Sequence, residues 1–198
     1  VLCGKLDENK QYGLAYTATT VEQPDGMVEK SYNIDRCVSG DITVELFEHS
    51  IIWPMAVVIR KSVLNDFWFD EALKNSDDND AFLRLSVRTK FLFVNEIEVV
   101  RRSSADAHSK ARFAIGSCNR VLSLERFYYD LGGDKFVPET IAKKKIARVY
   151  ARAAKRHRKA GFKKAAISLY RRSIRYRPFD VRLFFELLKS CFAGTDEN

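Results

Sequence analysis

Hydrophobic and polar positions change rhythm several times along this chain. From Tyr12 to Val21 (YGLAYTATTV), aromatic, β-branched and small residues run without a charge, the pattern of a strand. Gln23-Pro24-Asp25-Gly26 follows with the chemistry of a tight turn. Asp41 to His49 predicts a short helix. Ile51 to Ile59 (IIWPMAVVI) predicts a buried strand, with Pro54 awkwardly placed inside it. Ser62 to Asp66 predicts a helical turn. Ser76 then reads as an N-cap, and Asp77, Asp78 and Asp80 load the first turn of the next helix, where carboxylates meet the positive end of the helix dipole. Phe82, Leu83 and Leu85 would bury one side of that helix. Phe91 to Val100 (FLFVNEIEVV) predicts another strand, and Arg101 to Ser104 a polar loop leaving it. His108 to Leu131 predicts a longer helix stopped by Gly132-Gly133.

Beyond Pro138 the pattern is helical throughout. Glu139 to Lys159 predicts one basic helix with Gly161 as its stop. Phe162 to Arg177 predicts a second, ended by Pro178, and Phe179 to Cys191 a third. The expected organisation is therefore a body of mixed strands and helices over residues 1–133 and an all-α basic tail over residues 134–198. The fold class is α/β, or α+β within this stretch of chain.

Charge sharpens that division. The 198 residues carry a net +8, and Pro138 to Ser190 alone holds 17 basic against three acidic residues, a net +14 that leaves −6 for the rest. An acidic body joined to a basic tail points to an anionic partner for the tail. With 46% hydrophobic and 30% charged residues, the composition suits one moderate domain, or a small domain with an appendage. No apolar run approaches the ~20 residues that span a bilayer, and no secretory signal is visible. The chain begins Val-Leu-Cys-Gly without Met, which reads as a cut or a partial reading frame. Cys3, Cys37, Cys118 and Cys191 lack the paired spacing of a zinc site and read as reduced thiols of a cytosolic protein.

Three stretches in order resemble family 2 glycosyltransferases of the GT-A fold. Ile59-Arg60-Lys61-Ser62 with Phe69-Asp70-Glu71-Ala72-Leu73 is similar to an apolar strand, a basic pair and a Phe-Asp-Glu turn, with Trp68 where the family often has Gly. Ser76 to Leu85 resembles its Glu-Asp-x-Asp-x-x-x-Arg segment, with Asp77 in place of Glu. Val99-Val100-Arg101-Arg102 resembles the strand end that leads into an Arg-containing loop. Gly13-Leu14-Ala15-Tyr16 and Asp25-Gly26 also match. The resemblance covers roughly residues 6 to 131. It implies a partial GT-A sheet with packed helices. It also implies that the sugar-nucleotide half, with the Asp-x-Asp motif that holds a divalent metal, precedes Val1.

An inverting glycosyl transfer needs a base for the acceptor hydroxyl, a cation for the departing diphosphate, and an acceptor held in line. The resemblance puts the base at Asp78, with Asp77 beside it to orient base or acceptor. Asp80 would support the helix through Arg84, four residues on. Three acidic residues after a serine are equally what any well-capped helix looks like. Arg101, Arg102 and His108 are candidates for contact with the donor diphosphate or an anionic acceptor. A pair of arginines at a strand end is also the mark of a solvated edge, and a lone His before a helix commonly caps it. Tyr16 and Trp53 read as core or wall residues. The Asp78-Asn79-Asp80 spacing imitates a metal motif, but its place after the Phe-Asp-Glu stretch speaks against that role.

The partners implied are a nucleotide-sugar donor and a saccharide or lipid-linked acceptor. Mg or Mn is expected in the complete enzyme and none in this portion alone. The absence of a Gln-x-x-Arg-Trp segment and of membrane helices favours a non-processive enzyme, cytoplasmic or at the inner face of the membrane, in cell-surface polysaccharide assembly. The portion alone is expected to be inactive or nearly so. In the tail, Tyr150, Ala154, Gly161, Ala166, Tyr170 and Pro178 fall at spacings that resemble one tetratricopeptide-like hairpin, from which Ser173 and His157 depart. Its cations, Lys143 to Lys145, Arg152, Lys155, Arg156, Arg158 and Lys159, could approach anionic lipid. The alternative is a non-catalytic module binding a protein or an anionic membrane through this tail. Nucleic acid is disfavoured, because no base-reading module is recognisable.

Overall fold

A computed structural model describes residues 1–23, 25–30, 34–102 and 110–192. In chain order it holds α1 (Leu2–Glu8), β1 (Tyr12–Glu22), β2 (Val28–Lys30), α2 (Thr43–Glu48), β3 (Val57–Ile59), α3 (Asp77–Ser86), β4 (Lys90–Arg102), α4 (Lys110–Glu125), α5 (Glu139–Lys159), α6 (Lys163–Tyr176) and α7 (Val181–Phe192). The fold is mixed α/β: seven α-helices and a four-stranded mixed sheet among the described residues. The chain divides into two compact units. The first comprises Val1–Ala72 with Asp77–Ala107, and the second Leu73–Ser76 with His108–Asn198.

In the first unit β1 is the central strand. It pairs antiparallel with β2 through Thr20–Glu22 and with β3 through Leu14–Tyr16, and parallel with β4 along most of its length. A strand buried on both faces needs an apolar run instead of alternation. Gly13 to Thr20 is buried residue after residue, as its composition predicts. Gly13 stands where a Cβ would come 2.4 Å from Thr89 Oγ1 and 2.5 Å from Val63 Cγ2, so the strand starts at a point of close approach. Tyr16 is fully buried, and its hydroxyl satisfies both polar groups of Val38, donating to the carbonyl at 2.8 Å and accepting from the amide at 3.0 Å. Burial pushes this phenol up, and pushes the adjoining Cys37 thiol up to about 11. The β1–β2 turn closes with Gly26 at φ +82, Gly26 N–H on the Gln23 carbonyl and Gln23 N–H on the Met27 carbonyl.

Two expectations change here. The strand predicted over Ile51–Ile59 is only Val57–Ile59, because Pro54 opens a 3-10 turn over Pro54–Ala56, where its fixed φ fits and its missing N–H costs nothing. Arg101 and Arg102 do not leave the sheet: they are the last residues of β4, paired with Val21 and Glu22. The Ser103-Ser104 part of the expected loop lies outside the described residues. β3 pairs only with β1 among the described residues, which leaves its other edge without a strand neighbour.

In the second unit α4 packs with α5, α5 with α6, and α6 with α7. This places the division at 107/108, not at the expected 133/134, and α4 goes with the tail. The reason is visible in Glu125, which accepts from the hydroxyls of Tyr150 at 2.7 Å and Tyr176 at 2.6 Å. Those rings stack with centroids 6.0 Å apart. Ala142, Ala147, Ala153, Ala154 and Ala166 are buried and let the helices approach, while Ile146, Tyr150 and Tyr170 fill the space between them. The two polar departures from the hairpin pattern are both satisfied: Ser173 donates to the Ala147 carbonyl at 2.8 Å, and His157 Nδ1 to the Ala153 carbonyl at 2.9 Å. Gly161, at φ +84, ends the first helix of the pair as predicted. The four cysteines are free thiols.

Candidate active site

Asp77 and Asp78 occupy the first turn of α3, both half-buried, and Asp80 follows with 1% exposure. The three have different partners. Asp80 Oδ2 takes the Arg84 Nε–H at 2.7 Å. Arg84 then donates to the Trp68 carbonyl at 2.9 Å and lies over the Phe67 ring at 4.3 Å. One buried carboxylate thereby fixes the helix and the loop that carries Phe69-Asp70-Glu71. In that loop Asp70 Oδ1 caps its own turn, accepting from the Ala72 amide at 3.0 Å. The supporting role expected for Asp80 is the one observed.

Asp78 Oδ1 accepts from the Asn79 backbone amide at 2.7 Å and from Asn79 Nδ2 at 2.9 Å. The carboxylate is thus held at the helix mouth by two donors, next to amides whose dipoles favour negative charge. Ser76, expected as the N-cap, gives its hydroxyl hydrogen to the Gly116 carbonyl at 3.2 Å. It belongs to the second unit, as does Lys74, whose carbonyl receives Asn119 Nδ2–H at 2.9 Å.

Arg101 and Arg102 lie at the far end of β4. The Arg101 guanidinium covers the Trp53 ring at 4.6 Å, a cation–π contact that gives Trp53 its wall role. Arg102 pairs across the sheet with Glu22 at 3.0 Å, its side chain 87% exposed. Among the described residues no hydrogen bond or ion pair joins either arginine to Asp77 or Asp78. His108 lies outside the described residues. Arg60, from the basic pair of the motif, ties α1 to β1: it donates to the Tyr12 carbonyl at 2.9 Å, meets Asp7 at 3.2 Å and also reaches the Leu6 carbonyl.

Among the described residues no group of three or more His, Cys, Asp or Glu could hold a metal. Asp78 is engaged with Asn79 and Asp80 with Arg84, so the Asp-x-Asp imitation in α3 is not a cation site. The divalent metal implied by the resemblance does not fit these residues, and no step proposed here runs through it.

The second unit holds a groove of about 440 Å³ between α5 and α7, with Ala147, Ala151 and Leu183 among its walls. Sequence reading missed it, because it counted cations without knowing which were neutralised. Lys143 pairs with Glu139 at 2.7 Å and Arg158 with Glu186 at 2.9 Å. Arg156 donates to Ser117, and its pKa is lowered by burial and by Arg152. Arg148, Arg152, Lys155 and Arg182 line the groove with no acidic partner among the described residues. Its two carboxylates are already engaged, Asp180 by Arg177 at 3.0 Å and Glu186 by Arg158 and Lys189.

Compared with known proteins, the chain matches no protein-family model, no curated protein and no solved structure. No helix among the described residues is long and apolar enough to cross a membrane.

Proposed function

We propose that this chain is the acceptor-side portion of a family 2 glycosyltransferase of the GT-A fold, in which Asp78 is the general base. The observation that carries this reading is the placement of Asp78: a half-buried carboxylate at a helix mouth, held by Asn79, on a helix that the Asp80–Arg84 pair locks to the Phe-Asp-Glu loop. Asp78 removes the proton of the acceptor hydroxyl as that oxygen attacks the anomeric carbon. The bond from that carbon to the diphosphate breaks, and the nucleoside diphosphate leaves. Asp77 orients the acceptor.

Arg101 and Arg102 are proposed to meet the diphosphate or an anionic acceptor, exchanging their contacts with Trp53 and Glu22 for it. His108 joins them on motif order alone. The free edge of β3 supports the reading too, since it leaves room for a donor half to extend the sheet. The donor is a nucleotide sugar, the acceptor a saccharide or a lipid-linked saccharide, and the setting the assembly of a surface polysaccharide at the cytoplasmic face of a membrane.

The test is release of nucleoside diphosphate from a panel of nucleotide sugars, with Mg or Mn present, by the protein encoded by the whole reading frame around these residues. Release that requires an acceptor saccharide is expected. Failure with every donor, or an upstream sequence with no strand-rich segment containing Asp-x-Asp, would refute the assignment. Turnover by residues 1–198 alone would refute the division of labour between the halves.

A further inference from the structure

The last helix presents an apolar face that nothing in its own unit covers. Along α7, Leu183 and Ser190 turn inward and are buried. Val181, Phe184, Phe185, Leu188 and Phe192 recur at helical spacing on the other side and are 42–83% exposed, with Phe179 just before the helix at 94%. A stripe that is mostly phenylalanine is costly to leave in water, since burying such a side chain contributes roughly 2 kcal/mol.

Its surroundings say what covers it. Arg182 and Lys189 flank the stripe on α7, and Arg182 faces the groove into which Arg148, Arg152 and Lys155 project from α5 at i, i+4 and i+7. These three span about 10 Å of helix. The two carboxylates of the region are already neutralised, Asp180 by Arg177 and Glu186 by Arg158 and Lys189. The face therefore offers cations and apolar rings together, with no free acid beside them. A second copy would set cation against cation, so self-association through this face is disfavoured. An anionic lipid surface supplies both complements: phosphates for the cations and acyl chains for the rings. Stable attachment of a peripheral protein takes two such signals at once.

We propose that α7 docks the second unit on an anionic membrane, its phenylalanine stripe entering the acyl boundary while Arg148, Arg152, Lys155 and Arg182 hold headgroup phosphates. This is independent of glycosyl transfer, because binding is read without turnover. The experiment is co-sedimentation of the chain with vesicles of phosphatidylcholine alone, or of phosphatidylcholine with one-third phosphatidylglycerol. Binding to the anionic vesicles only, weakened by added salt, is expected.

Replacing Arg148, Arg152 and Lys155 together by Gln should weaken binding about 100-fold. The double variant Phe184→Ser, Phe185→Ser should abolish it while helicity by circular dichroism stays unchanged, both side chains being exposed in the fold. Inorganic phosphate at matched ionic strength should not displace the vesicles. Equal binding to neutral vesicles, no binding to either kind, full displacement by inorganic phosphate, or a solution dimer broken by the phenylalanine variants would each overturn the proposal.

Discussion

The two units of this chain reach order by opposite routes. The first is organised around one strand buried on both faces, and its charges are spent inside: Asp80 sits at 1% exposure and its partner Arg84 reaches on to the Trp68 carbonyl. The second has no sheet among its described residues. It is held by small residues that let helices close and by tyrosines tied to Glu125, and much of its charge faces outward. The difference teaches where function can reside. A buried charge placed by a rigid element suits a positioned carboxylate nearby. An outward surplus of cations beside exposed rings suits attachment.

The sharpest way to break this comparison is Asp80→Ala. Removing a carboxylate that leaves a partly buried guanidinium unpaired should cost about 3 kcal/mol. Both tryptophans, Trp53 and Trp68, lie in the first unit. Urea unfolding followed by their fluorescence should shift, while the circular dichroism of the basic helices shifts far less. Equal shifts in both signals would mean that the units do not respond separately. The converse substitution, Ala166→Leu, places a larger side chain where exposure is 0% and should cost about 2 kcal/mol by overpacking. There the helical signal should move first.

The smallest effect expected is a pH dependence. Desolvation raises the Glu186 carboxyl, but hydrogen bonds from Lys189 and Arg158 outweigh it and hold it below its ordinary value of 4.5. The unfolded chain therefore binds a proton at Glu186 more readily than the folded one. The contribution is present above pH 4.5 and is lost as pH falls through the lower folded value. Thermal melts of Glu186→Gln should show a shallower loss of stability between pH 5 and pH 3 than the parent. An identical slope would remove Glu186 from the account.

Much of this was legible in the sequence where local and tertiary preferences agree. The uncharged run at Tyr12 to Val21 could only be a buried strand, and Glu139 to Lys159 bears its stop signal at Gly161. Asp80 and Arg84 four residues apart announced their pair. What was illegible depends on distant partners. Nothing local says that Glu125 will bind tyrosines 25 and 51 residues away and draw α4 into the tail. Nothing local separates Arg158, paired, from Arg152, unpaired. The apolar positions of α7 read like core spacing, and only the fold shows that one side of them has no neighbour in its unit. Arg101 and Arg102 read as a loop because charge ends a hydrophobic run, but β1 extends far enough to keep both in register.

The claim at the centre is that Asp78 takes a proton from the acceptor. Its most direct test is Asp78→Asn in the complete enzyme, with transfer to acceptor and donor affinity measured side by side. The substitution keeps the shape and an oxygen to receive the Asn79 amide, but removes the basicity. Transfer should fall about 10³-fold with donor binding unchanged; transfer at the parent rate would show that the proton goes elsewhere.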